Sequence, residues 1–247
     1  MFPYDSALLA VAEATPHSVS DVLWILQEID NSCSDLDGLK WFNGLYLQVT
    51  RAIKSRVDSN GFSDPGWIAS LDIHFARLYL SVLSASLSGQ AAPACWRVLM
   101  ESRNQTSIAR IQFALAGMNA HMNHDLPKAI ASTCRDTGTV PTHGGTHYQD
   151  YTAVNSTLHP LIETAKQTLD VRLPGGALPQ ISHLQDTIAA WNVDAARESA
   201  WQVSEYLWQI QPFPVLASGV LNTIDGFATV VNKALLVPVP SLVPVPS

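Results

Sequence analysis

The stretch F-A-L-A-G-M-N-A-H-M-N-H-D-L-P, residues 113–127, starts like the inside of a helix and ends in a run of polar side chains. Phe113, Leu115 and Met118 mark it as a core element. Asn119, His121, Asn123, His124 and Asp125 then follow within a few residues of one another. At helical spacing Asn119 and Asn123 share one stripe, and His121 and Asp125 share the stripe beside it. An uncompensated buried amide costs roughly 2–7 kcal/mol, so polar groups on a core helix need partners, water, a metal or a ligand. Pro127 removes an N–H and clashes with the preceding turn, which predicts a kink or restart at that point.

Three readings of this stripe compete. It can be a hydrogen-bond network that locks helices together, or a helix end turned to solvent. It can line a pocket in which His121, oriented by Asp125, exchanges a proton with a bound molecule. It can hold a metal through His121, His124 or Asp125, helped by His74, Asp72, His143 or His147. No H-E-x-x-H or other zinc signature accompanies the third reading.

The flanking sequence is helical in pattern. Ser18 or Ser20 caps a helix over about 20–31, and the D-L-D-G segment then breaks the chain. Leu39, Phe42, Tyr46, Val49 and Ile53 recur at steps of three and four, one face of a second helix over about 38–57. Asp64 with Pro65 opens a third over about 65–88, apolar nearly all round and therefore central. Asp72, His74 and Arg77 interrupt it. Further helices are predicted over about 93–103 with Trp96, 107–125, 128–135, 149–170, 182–192, 194–211 and 214–236. Glycine-bearing loops fall at 136–147 and 173–180. The repeated L-V-P-V-P-S of 236–247 cannot be helical and reads as a polyproline or disordered tail.

Hydrophobic residues make up 47% of the 247 and charged ones only 14%. An average soluble domain is about a quarter charged, so much of this chain must be interior, in one domain over 1–235. Fourteen basic residues against twenty-one acidic ones, net charge −7, cannot neutralise a nucleic-acid backbone. Cys33, Cys95 and Cys134 form no zinc or disulfide pattern and read as reduced thiols of a cytoplasmic protein. The start, M-F-P-Y-D-S, does not resemble a signal peptide. The apolar stretch 214–237 is broken by Asn222, Asp225, Asn232 and Lys233 and reads as a core helix, with no stable membrane insertion. No feature speaks to oligomeric state.

The pieces W-F-N-G-L-Y-L-Q-V-T (41–50), F-S-D-P (62–65), L-D-I-H-F-A-R-L-Y-L (71–80), G-M-N-A-H-M-N-H-D-L-P (117–127) and D-Y-T-A-V-N (150–155) resemble a family of uncharacterised helical proteins, mostly bacterial with some fungal members, classed as a domain of unknown function. The resemblance implies an all-α fold and a pocket, and carries no agreed chemistry.

The expectation is an all-α bundle of about eight to nine helices, with an enclosed, mostly apolar pocket lined by the helices near 38–57, 65–88, 107–125 and 149–170. His121, Asn119 and Asp125 are the catalytic candidates. Tyr46, Thr50, Asp72, His74, Trp96, Met118, Met122, Tyr151 and Asn155 are the substrate-binding ones. There is no G-x-S-x-G elbow, no G-x-x-x-x-G-K-S/T loop and no G-x-G-x-x-G, so no cofactor is expected. Such a pocket suits a cyclase or isomerase, for instance one catalysing a cycloaddition, on a small hydrophobic terpenoid- or polyketide-like substrate. It would hold a reactive conformer while His121 with Asn119 polarises a carbonyl. A metal-dependent hydrolase using the His and Asp set, and a non-catalytic carrier of apolar molecules, are the alternatives.

Overall fold

The computed structural model describes residues 2–169 and 191–238, and among them no strand occurs. The helices are α1 (Asp5–Ala12), α2 (Val19–Ser32), α3 (Gly38–Asp58), α4 (Pro65–Leu87), α5 (Ala94–Ser102), α6 (Arg110–Ala120), a π turn (His121–Asp125), α7 (Leu126–Thr137), α8 (Thr146–Ala153), α9 (Asn155–Leu169), α10 (Val193–Gln209) and α11 (Pro214–Leu235). All of the loop at 173–180, residues 182–190 of the helix expected over 182–192 and residues 239–247 of the proline-rich tail lie outside the described residues, and residues 191–192 are not helical.

Local chemistry sets most helix starts. Ser18 Oγ accepts from Asp21 N–H at 3.1 Å while Asp21 returns the favour to Ser18 N–H at 3.0 Å, a capping box for α2. Asp37 Oδ1 accepts from Leu39 N–H at 3.0 Å and opens α3. Asp64 Oδ1 accepts from Trp67 N–H at 2.9 Å, with Pro65 at the first helical position of α4. Asp150 of α8 reaches across to another helix. It accepts from Ser63 and Asp64 N–H at 2.9 and 2.7 Å and so ties α8 to the entry of α4. Gly138 closes α7 in the left-handed region, φ 66°.

α6 is the innermost helix: every residue from Ile111 to Ala120 is buried. It packs on α3 on one side and on α11 on the other. Its approach to α3 is close enough to need a glycine, since a Cβ on Gly117 would stand 2.3 Å from Cγ of Phe42. α4 packs against α1, α2, α3, α5, α7, α8 and the π turn, which bears out its reading as a central helix. α10 lies against α7, α9 and the π turn.

Two expectations change. The sequence left residues 5–12 unassigned, yet they form α1, whose Leu8 is fully buried. α11 is not a core helix. Only Ala228, Asn232 and Leu235, one helical stripe, are buried, and Val215, Leu216, Phe227 and Val230 are each more than half exposed. A helix with a single contact stripe covers the bundle from outside, whatever its hydropathy. On length and composition alone, both α4 and α11 could span a bilayer.

Candidate active site

The polar stripe sits in a π turn, which is where Pro127 makes itself felt. The Pro127 ring would clash with the carbonyl four residues back, that of Asn123. The chain meets this by widening one turn: Leu126 N–H bonds back to His121 C=O, five residues away. The helix therefore continues through the proline without breaking. Single π turns of this kind occur mostly inside α-helices, frequently at functional sites.

Asp125 is the hub of the turn. Its Oδ2 accepts from Trp96 Nε1–H of α5 at 2.9 Å and from His121 Nδ1 at 3.0 Å. Its Oδ1 accepts from His124 Nδ1 at 2.7 Å and lies 3.2 Å from Lys128 Nζ. Burial alone would raise the carboxyl, but the hydrogen bonds from His121 and His124, with the charge of Lys128, outweigh it and hold the group well below the usual carboxylate range. An ionised carboxylate only accepts, so Nδ1 of His121 must carry the proton and Nε2 is left with a lone pair.

That Nε2 is buried and has no hydrogen-bond partner among the described residues. The imidazole lies flat on Phe75, centroids 3.4 Å apart at 5°, and meets Phe42, Tyr46, Tyr79 and Trp96 edge-on or tilted at 4.8–6.0 Å. Burial holds the imidazole below its ordinary value, with Asp125 working partly against that, so it is neutral at pH 7. The surrounding ring faces and Asp125 would nonetheless favour an imidazolium formed during a reaction.

His121 lines a cavity of about 40 Å³ with Tyr46, Asp72, Phe75, Met118, Met122 and Arg197 among its other walls, the remainder being aliphatic. The walls come from α3, α4, α6, the π turn, α7, α9 and α10, so the expected helices are joined by two more. The volume is well below the roughly 150 Å³ of an engineered cavity that admits benzene. Any ligand of benzene's size or larger, a compact carbonyl compound as well as a terpenoid skeleton, requires the wall to open, and the two methionines are its most adaptable part.

Two further polar groups on this wall lack partners among the described residues, Tyr46 Oη and Asp72 Oδ2. Burial raises the Asp72 carboxyl to about 7, and no neighbouring charge contributes. Burial also pushes the Tyr46 phenol far above its ordinary value, with Asp72 adding to the effect, so it remains a donor. The site thus holds two carboxyl groups driven in opposite directions, Asp125 ionised and Asp72 about half in its acid form at neutral pH. Such a split is how one fold supplies both an acid and a base.

The expected residues divide cleanly. Tyr46, Asp72, Met118, Met122 and His121 meet at the cavity. Asp125 and Trp96 stand behind His121 and orient it. Asn119 does not share the site. It faces α11, donating to Ala228 C=O at 3.0 Å and Asn232 Oδ1 at 2.8 Å, and accepts from Asn123 at 2.9 Å. The stripe pairing predicted from spacing holds, but one stripe turns to α11 and the other to the cavity, so a joint His121–Asn119 clamp on a carbonyl is corrected. His74 pairs outward with Asp136 at 3.0 Å. Thr50 is buried next to the site without lining it. Tyr151 and Asn155 act one step back, holding Arg197. His143 and His147 pair with Glu198 and Asp64. Among the described residues no three His, Cys, Asp or Glu side chains converge to hold a metal. The network-lock reading accounts for Asp125, His124, Asn119 and Asn123. It does not account for the unpartnered His121 Nε2, Asp72 Oδ2 and Tyr46 Oη.

Phe75 and Arg197 were missed. Phe75 carries no signal beyond hydrophobicity. Arg197 lies on an otherwise ordinary amphipathic helix, and only its burial sets it apart.

Residues 19–238 match the model of a single family, described as a family of unknown function. No curated protein and no solved structure matches the chain.

Proposed function

The chain belongs to that family of unknown function, DUF5995, and on this premise we propose, from the site alone, that it moves protons within a compact, mostly apolar carbonyl substrate, as an isomerase or cyclase using only its own side chains. The observation that carries the reading is the buried, unpartnered Nε2 of His121, whose opposite nitrogen is fixed by an ionised Asp125. Leaving such an atom unpaired costs about 1–3 kcal/mol, a cost that a purely structural network would avoid.

In the step envisaged, Nε2 takes a proton from the carbon beside a carbonyl. The C–H electron pair becomes the C=C bond of an enol, and the carbonyl oxygen receives a proton from Asp72 or Tyr46. Where a C=C bond lies β,γ to the carbonyl the enol is a dienol, and the imidazolium, stabilised by Asp125, returns its proton to the γ carbon as the C=C bond moves into conjugation, the carbonyl reforms and Asp72 or Tyr46 recovers its own proton. Isomerisation is the net result; attack by the enol carbon on a second carbonyl of the same molecule, whose C=O π bond opens and whose oxygen takes the imidazolium proton while the enol oxygen gives its own back to Asp72 or Tyr46, would give cyclisation. General acid–base catalysis of this kind is worth about 10²–10⁴-fold.

Hydrogen–deuterium exchange at the CH₂ of pentane-2,3-dione in D₂O, followed by NMR, tests this directly. The wild-type protein should accelerate exchange, and His121→Gln should lose at least about 100-fold of that acceleration. Equal acceleration by wild type and His121→Gln, or none by wild type, would reject the reading.

A further inference from the structure

Arg197 is the anomaly of the cavity wall. It is 6% exposed, and its Nε donates to Asn155 Oδ1 at 2.6 Å and its Nη2 to Tyr151 C=O at 2.7 Å. The guanidinium carbon sits 4.0 Å over the Tyr151 ring. These contacts hold the group rigidly, yet all of them come from neutral partners. Among the described residues no carboxylate stands within ion-pair distance of it. Asp194, the acidic side chain closest in influence, is about half exposed and already paired with His159 at 2.8 Å. Buried charges are ordinarily paired, because removing an ion from water costs several kcal/mol when nothing compensates.

We infer that the cavity takes its substrate as a compact carboxylate, gripped by Arg197, with the carbonyl end turned to His121. This rests on the proton-transfer reading of the same cavity and names the substrate class for it. Nη1 has no partner among the described residues, so Nη1 and the second hydrogen of Nη2 remain for the two-pronged contact that a guanidinium makes with a carboxylate. Among the described residues no second cation lines the cavity, which fits a single negative charge better than a phosphate dianion. A bound anion would also keep Asp72 in its acid form by repulsion, the form in which it can donate. Tyr151 and Asn155, singled out from the sequence as substrate contacts, become the residues that position the arginine.

Paired probes test this: 2-oxobutanoate and pentane-2,3-dione, which differ by a carboxylate in place of an acetyl group. Affinity is read by NMR titration, together with the Arg197 Nε–H resonance of the ¹⁵N-labelled protein, assigned by its loss in Arg197→Lys. The oxo-acid should bind at least tenfold more tightly than the dione and shift the Arg197 signal. Arg197→Met should bring the two probes to parity. His121→Gln should keep the preference for the acid while losing exchange at the CH₂ of 2-oxobutanoate. Equal affinities in the wild type, with an unmoved Arg197 resonance, would overturn the inference even if Arg197→Met does not fold. Arginine-dependent binding of the acid without His121-dependent exchange would leave this inference standing and sink the proton-transfer reading.

Discussion

Asp72 and Asp125 lie on the same site and respond to pH in opposite senses. Burial raises Asp72 from 3.8 to about 7, so the folded protein prefers it protonated. Its contribution is complete below its unfolded value and is lost as pH climbs through the folded one. Asp125 is held down, so its contribution is present above its unfolded value and is lost as pH falls below that. We therefore expect Asp72→Asn to change thermal stability little near pH 4 and to stabilise the protein progressively up to pH 8, by at most on the order of 4 kcal/mol. Denaturant midpoints across that range measure it, and a difference independent of pH would contradict the assignment. With Asp72 as the proton donor, activity needs His121 neutral and Asp72 protonated. The rate should therefore peak between the depressed value of His121 and about 7, and Asp72→Asn should remove the alkaline limb of the profile.

The π turn and the α3–α6 contact are what aim these side chains. Within a regular helix His121 and Asp125 would still be neighbours, but Pro127 would then have to break the chain one turn later. Widening the turn keeps α6 and α7 continuous and presents the imidazole edge-on to Phe42. Gly117 allows that presentation by letting α6 settle onto Phe42. We expect Gly117→Ala to cost about 1–3 kcal/mol through overpacking and to reduce proton-transfer activity as well, because the ring it displaces also touches His121. Chemical denaturation and exchange rates measured on the same samples would check this. A stability loss with undiminished activity would show that the helix contact does not set the geometry of the imidazole.

The molecule as a whole is a set of helices around α6, closed on one side by α11. The seal is polar: Asn119 reaches Asn232 and Ala228, and Asn232 Nδ2 donates to Cys95 C=O at 2.9 Å, binding α5, α6 and α11 together. Asn119→Ala would leave several of these buried groups unpaired, so a loss of about 1–3 kcal/mol is expected. Hydrogen exchange should accelerate along α11 and proton-transfer activity should stay within about twofold of wild type, since Asn119 faces α11 and shares no partner with the residues lining the His121 cavity. A large loss of activity in a folded Asn119→Ala protein would restore the asparagine to the active site.

Helix type, most helix starts and the pairing of His121 with Asp125 were legible in the residues, because caps, proline and the step of four act over one or two turns of chain. Which stripe faced a cavity was not legible. Asn119 and His121 are equally polar and two residues apart, and only the placement of α11 on one side and α3 with α4 on the other separates their roles. The same holds for α11, whose apolar composition suggested the core until its single contact stripe put it outside. Arg197 is the clearest case: its unpaired charge becomes meaningful only when helices distant in sequence close around it. Desolvation depends on every neighbour at once, and no local pattern encodes it.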